Sequence, residues 1–156
     1  MQIKFSIRLL IALILLLWTA GIFSSCLVSL NDYIIAFYPF FKKTYSLVCH
    51  QESSKLIVNV CGNSLVCARC AGIYSGLLTT SIIFIFHPLK KIPDIKLLLF
   101  SSIPMLLDVL LTTIHIYPYF KTLAFLTGIL FGSILFLYFY RGLILLFEEI
   151  YSKGTK

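Results

Sequence analysis

Four of the chain's five cysteines, Cys49, Cys61, Cys67 and Cys70, crowd into a short stretch, while Cys26 stands apart. Cys67-Ala68-Arg69-Cys70 has C-x-x-C spacing, and Cys49 is followed directly by His50-Gln51. Thiolates and imidazole at such spacing suit a tetrahedral ion, zinc above all. Cys67 and Cys70 would supply two ligands, Cys49 a third, and His50 or Cys61 the fourth. The same residues also suit thiol–disulfide exchange. Cys67 lies near a helix N-terminus beside Arg69, and both the dipole and the cation favour its thiolate. A third use is a pair of structural disulfides, whose pairing the sequence leaves open. A c-type haem is disfavoured because Ala71, not a histidine, follows Cys70. Of these uses the residue set leans to the metal. Cys26, inside an apolar run, reads as a packing residue.

A second constellation centres on Asp108, in the middle of an apolar stretch. A carboxylate at that depth of a bilayer costs roughly 2.5 kcal/mol or more and marks a functional position by default. On a helix Ser101, Asp108, Thr112 and His115 share one face. Asp108 then lies roughly 10 Å along the axis from His115, at about 1.5 Å per residue. Together they suggest a polar pocket descending from the Cys/His loop to Asp108, with Arg69 as counter-ion if the second and third spans pack together. Asp108, Arg69 and His115 are therefore the candidates for any catalysis. For Ser101 and Thr112, bonding that merely holds helices is the simpler role. Pro104 removes a backbone donor and invites a kink.

The elements that must position these residues are membrane helices. Of 156 residues, 60% are hydrophobic and only 12% charged, too few charges for the surface of a soluble body this size. Disorder is excluded by the same hydrophobicity. A span needs about 20 apolar residues to cross a core of about 30 Å. Stretches at 9–30, 70–89, 97–117 and 122–141 meet that need, joined by a Cys/His loop at 31–69. The expected fold is a single all-α polytopic domain with four transmembrane helices, a four-helix bundle with a Cys-rich first loop. Short connectors at His87–Lys96 and Tyr117–Lys121 favour antiparallel neighbours. Within the first loop, Tyr33–Val48 reads as interfacial or partly re-entrant because it carries Pro39, Lys42 and Lys43. Cys61-Gly62-Asn63-Ser64 has the punctuation of a hairpin turn.

The net charge of +7 does not indicate a nucleic-acid partner, since the basic residues flank apolar runs instead of forming a patch. The lipid bilayer is the expected partner. With four spans, eight Lys and Arg fall on the face holding both termini and five on the other. The positive-inside rule then puts both termini in the cytoplasm of a multi-pass cell-membrane protein, and the cysteine loop outside. Lys4, Arg8 and the apolar run ending in Phe23-Ser24-Ser25-Cys26 also resemble a cleaved or lipidated leader. The run continues past Cys26, which favours a retained span. Gly72/Gly76 and Gly128/Gly132 are G-x-x-x-G pairs in the second and fourth spans. Such pairs let two helices cross closely, either with each other or through self-association.

Cys49-His50-Gln51, Val66-Cys67-Ala68-Arg69-Cys70-Ala71-Gly72-Ile73-Tyr74-Ser75-Gly76, the intramembrane Pro104 and Asp108, and Thr127-Gly128-Ile129-Leu130-Phe131-Gly132 resemble one known pattern. It is that of an uncharacterised prokaryotic domain-of-unknown-function family of small predicted membrane proteins, with a CHQ…CARCxGIYxG signature, and it covers residues 45–135. The resemblance implies a four-span bundle with a shared Cys/His/Arg/Asp constellation and no assigned activity. The chain departs from the pattern after CHQ, where Ser54-Lys55-Leu56 stands near an expected Arg-Ser-Phe. It departs again at Val109, Lys121 and Ala124, and Cys61 is additional. If the missing polar groups serve a reaction, this member is altered in it. The leading expectation is a membrane protein with a zinc-binding Cys/His site at the non-cytoplasmic face. An envelope thiol–disulfide oxidoreductase and a small transporter or channel component using Asp108 are the alternatives.

Overall fold

The computed structural model describes residues 5–25, 36–60, 62–87 and 94–154. Among the described residues five α-helices and one hairpin follow in order, with a short 3-10 turn at Ser53–Lys55: α1 (Phe5–Ile22), α2 (Tyr38–Ser46), β1 (Leu56–Asn59), β2 (Gly62–Cys67), α3 (Ala68–Phe86), α4 (Ile95–Thr113) and α5 (Lys121–Gly154). Four of them, α1, α3, α4 and α5, are long and apolar enough to cross a membrane. Leu9, Leu13, Leu17, Leu99, Leu106 and Leu110 point outward from the bundle. In water such a surface would drive association; in lipid it is simply solvated.

The helix bounds depart from the expected spans in two informative places. Arg141 does not end the last helix, which runs 34 residues, about 51 Å at 1.5 Å per residue. A core of about 30 Å cannot contain it, so α5 overhangs the bilayer as a continuous helix. The third span stops at Thr113, four residues short of Tyr117. Ile116 N–H bonds Leu111 O at 3.0 Å and His115 N–H bonds Thr112 O at 3.2 Å, with His115 at φ +59°. That is a Schellman end, with a histidine where glycine is usual. Pro118 enforces the stop, because the residue before a proline avoids helical backbone. Cys26 and residues 88–93, including Pro88 and Pro93, lie outside the described residues, as does Cys61.

The all-α expectation gains a small exception. β1 and β2 form an antiparallel hairpin in which Leu56 faces Cys67 and Asn59 faces Gly62. The interfacial stretch becomes α2, begun by Pro39, whose missing N–H is no loss in a first helical turn. The Tyr45 hydroxyl donates to Trp18 O at 2.6 Å, and the Ser25 hydroxyl to Asn63 O at 3.0 Å. These bonds fasten the first loop onto the end of α1.

At the centre of the bundle, α3 packs most closely against α5 and then against α1, while α4 lies on α5. The two glycine pairs make the α3–α5 crossing. A Cβ on Gly72 would stand 2.2 Å from Phe125 O, and one on Gly132 would stand 2.2 Å from Ile73 O. Each pair thus faces the backbone of the other helix in the same chain. At the opposite end, Phe84, Phe136 and Tyr140 pack together. There Arg8 donates to Phe84 O at 3.3 Å, capping the C-terminus of α3 with a cation.

Gly132→Ala should destabilise the detergent-solubilised protein by about 1–3 kcal/mol, since neither backbone can give way cheaply. Gly142→Ala, where a Cβ meets nothing within 4 Å, should stabilise it by about 0.5–1 kcal/mol. Equal effects of the two changes in thermal unfolding would refute this packing.

Candidate functional site at the start of the second span

The Sγ atoms of Cys49, Cys67 and Cys70 all lie within 4.8 Å of one another. Three different local structures deliver them. Cys49 follows α2, and its N–H bonds Tyr45 O at 3.0 Å. Cys67 ends β2 and is the N-cap of α3, while Cys70 lies in that helix's first turn. Gln51 fixes the approach of the first to the other two. Its side-chain amide donates to Lys42 O at 3.1 Å and Leu65 O at 2.9 Å, tying α2 to β2. Gln51 itself sits at φ +51°, a left-handed backbone that turns the chain sharply after His50.

The electrostatics favour a thiolate at Cys67. The Cys67 N–H donates to Cys49 Sγ at 3.2 Å. The Cys67 thiol is lowered to about 5, chiefly because Cys70 donates a hydrogen bond to it, with Arg69 adding a smaller attraction. Arg69 was the expected cause; the neighbouring thiol outweighs it. The three cysteines border a cavity of about 400 Å³ that His50, Glu52 and Lys55 also line. His50 is exposed and stands outside the three-sulfur group, but on the same cavity wall. A shared zinc with sulfur at about 2.3 Å would hold the sulfurs about 3.8 Å apart, so the group closes by about 1 Å to fit.

Arg69 points away from the thiols to form an ion pair with Asp108. The Asp108 side chain is only 2% exposed. Its other carboxylate oxygen accepts from the Tyr117 hydroxyl. Backbone contact between α3 and α4 is slight, so the long arginine bridges them. Tyr119 packs over the cations: Arg69 Cζ is 5.7 Å and Lys55 Nζ 5.8 Å from its ring centroid. Burial raises the Tyr119 phenol to about 12, so it stays neutral. Ser101 and Thr112 bond carbonyls of their own helix, Leu98 O at 2.9 Å and Asp108 O at 2.5 Å. His115 is exposed at the mouth of a cavity beside Arg69 and Tyr119.

The structure thus brings together Cys49, Cys67 and Cys70 as one group and Arg69, Asp108 and His115 around another. Tyr117, Tyr119, Lys55 and the clamping role of Gln51 are additions. Pro118 was the one sequence mark beside Tyr117, which the expected span had included as its last residue. Nothing in the spacing of Lys55 announced its place between the two groups.

The chain is therefore a four-span helical membrane protein with a three-thiol group at one end of its bundle. The profile of a family described as predicted membrane protein (DUF2085) matches residues 49–138, and the chain belongs to that family. Uncharacterized protein MJ1492 of Methanocaldococcus jannaschii is 37% identical over 114 residues, which cover 70% of each chain. No solved structure matches. The matched region opens at Cys49 and contains every residue of both groups.

Asp108→Ala should cost about 1–3 kcal/mol in unfolding experiments, because it leaves a partly buried guanidinium without its charge partner. The double change Asp108→Leu with Arg69→Met should recover much of that loss; a loss equal to the sum of the single changes would contradict the pairing. In metal-free protein, alkylation of Cys67 should reach half its maximal rate near pH 5, the pH at which half of this thiol is ionised. A midpoint above about 8, as for an ordinary thiol, would refute the lowered value.

Proposed function

We propose that this protein is a metal-binding membrane module whose thiolates Cys49, Cys67 and Cys70 hold zinc, at the non-cytoplasmic face of a cell membrane with both termini inside. The convergence of three sulfurs from separate elements onto one cavity wall carries the reading. Sulfur donors with an imidazole nearby suit zinc better than hard cations, which take oxygen. His50, on the same cavity wall, would be the fourth ligand. When bound, zinc would supply a cross-link between α2, the hairpin and α3, and its binding energy would become folding energy. Arg69 holds the C-x-x-C turn in place through Asp108.

A second reading, thiol–disulfide exchange through Cys67 and Cys70, draws support from the lowered Cys67 thiol beside a protonated partner. One experiment separates the two. Protein purified in detergent without added metal should contain close to one zinc per chain, and Cys67→Ser should lose it. Metal-free protein whose Cys67 and Cys70 switch between maleimide-reactive and protected forms with redox buffer would reject the metal reading in favour of exchange.

A further inference from the structure

On the far side of Arg69 from the thiols lies a separate cavity of about 300 Å³ that contains no cysteine. Its wall is made by Lys55, Arg69, Thr112, Thr113, His115 and Tyr119, with Val109 at the base. That wall holds two cations, an imidazole and three hydroxyl-bearing side chains, but no carboxylate. The countercharges sit elsewhere. Asp108 is shut behind Arg69, and Glu52, 2.6 Å from Lys55 Nζ, is not on the wall. Thr112 and Thr113 spend their hydroxyl protons on Asp108 O and Val109 O, so the donors left to the wall are Lys55, Arg69, His115 and Tyr119. With the carboxylates held outside, such a surface is the complement of an anion.

Two further observations point to a ligand. Arg69 Nε and Tyr119 Oη are buried without a hydrogen-bond partner among the described residues. Such atoms are few in native proteins and each calls for a reason. His115 keeps an imidazole at φ +59°, at a helix end where glycine fits without strain. The fold alone has no need of that side chain: it is exposed, and the helix-ending bonds come from the backbone. Its cost is explained if the imidazole faces a partner.

We propose that this cavity binds a phosphate-type oxyanion. Arg69 has five N–H donors and uses only part of them on Asp108, leaving the rest of its fork for an anion. Lys55 contributes charge from the hairpin side, and His115 an N–H from the mouth in either protonation state. The cavity opens where α4 ends and α3 begins, so the anion is either a soluble phosphate species or the phosphoryl headgroup of a lipid.

The test uses the full chain in detergent and in nanodiscs. Thermal unfolding is followed with inorganic phosphate against chloride at equal ionic strength. Retention of phosphatidic acid is compared with that of phosphatidylcholine by mass spectrometry. Saturable stabilisation by phosphate alone assigns a soluble anion, and selective retention of phosphatidic acid alone assigns a headgroup; either supports the site. His115→Gly should unfold at the same or a higher temperature in chloride, because it relieves the left-handed backbone. It should nevertheless bind the anion about tenfold more weakly, as expected for one lost charge-assisted hydrogen bond. Lys55→Gln should weaken binding similarly. The proposal is overturned if phosphate acts no differently from chloride and phosphatidic acid is retained no better than phosphatidylcholine. It is equally overturned if both variants bind as the native chain does.

Discussion

A carboxylate buried in a membrane helix has to be neutralised, and here Arg69 does it. Asp108 lies not at mid-span, as expected, but five residues before the end of α4. Asp108 belongs to α4, which packs mainly on α5 and has little backbone contact with α3. The guanidinium reaches across and fixes the two helices relative to one another. Because Arg69 lies inside Cys67-Ala68-Arg69-Cys70, the same bond orients the first turn of α3. Tyr117 folds back from the α4–α5 connector to occupy the second carboxylate oxygen. One buried charge therefore ties α3, α4 and the α4–α5 connector together.

The C-x-x-C turn has two sides with different chemistry. Its sulfurs face Cys49 and the cavity beneath His50, while its arginine faces Asp108 and Tyr119. Lys55 reaches the borders of both cavities. The α3–α5 crossing lets these groups come close, since glycine pairs allow backbone to touch backbone where side chains would hold the helices apart. Gln51 does the corresponding work for Cys49. Its left-handed backbone and two amide bonds join α2 to β2, so the thiol after α2 meets the thiols at the start of α3.

Much of this was legible before any coordinates. Apolar runs of bilayer length marked the four helices, and the Gly/Asn punctuation marked a hairpin, although Gly62, Asn63 and Ser64 belong to strand β2 and not to the turn expected there. The glycine pairs announced a close crossing, and the clustered cysteines a site. Asp108 and Arg69 stood out because charge is so scarce in the chain. Less legible were the features set by tertiary contact. Arg141 suggested a helix end because charge leaves the bilayer there, yet a helix can leave the bilayer without stopping. Thr113 ends α4 through backbone geometry centred on a histidine, a residue that propensity does not mark for a left-handed position. Tyr117 and Tyr119 looked like turn filler, since their value lies in what the fold puts opposite them. His50 adjoins Cys49 in sequence but projects to the exposed side, because adjacent residues in a turn need not share a face.

In the proposed zinc site Cys49, Cys67 and Cys70 are the sulfur ligands, and a nitrogen or oxygen donor takes the remaining position. X-ray absorption at the zinc edge of the purified, metal-loaded protein tests it most directly. The expected spectrum has three sulfur neighbours at about 2.3 Å and one lighter neighbour at about 2.0–2.1 Å. A shell of light atoms only, or of four sulfurs, would contradict it.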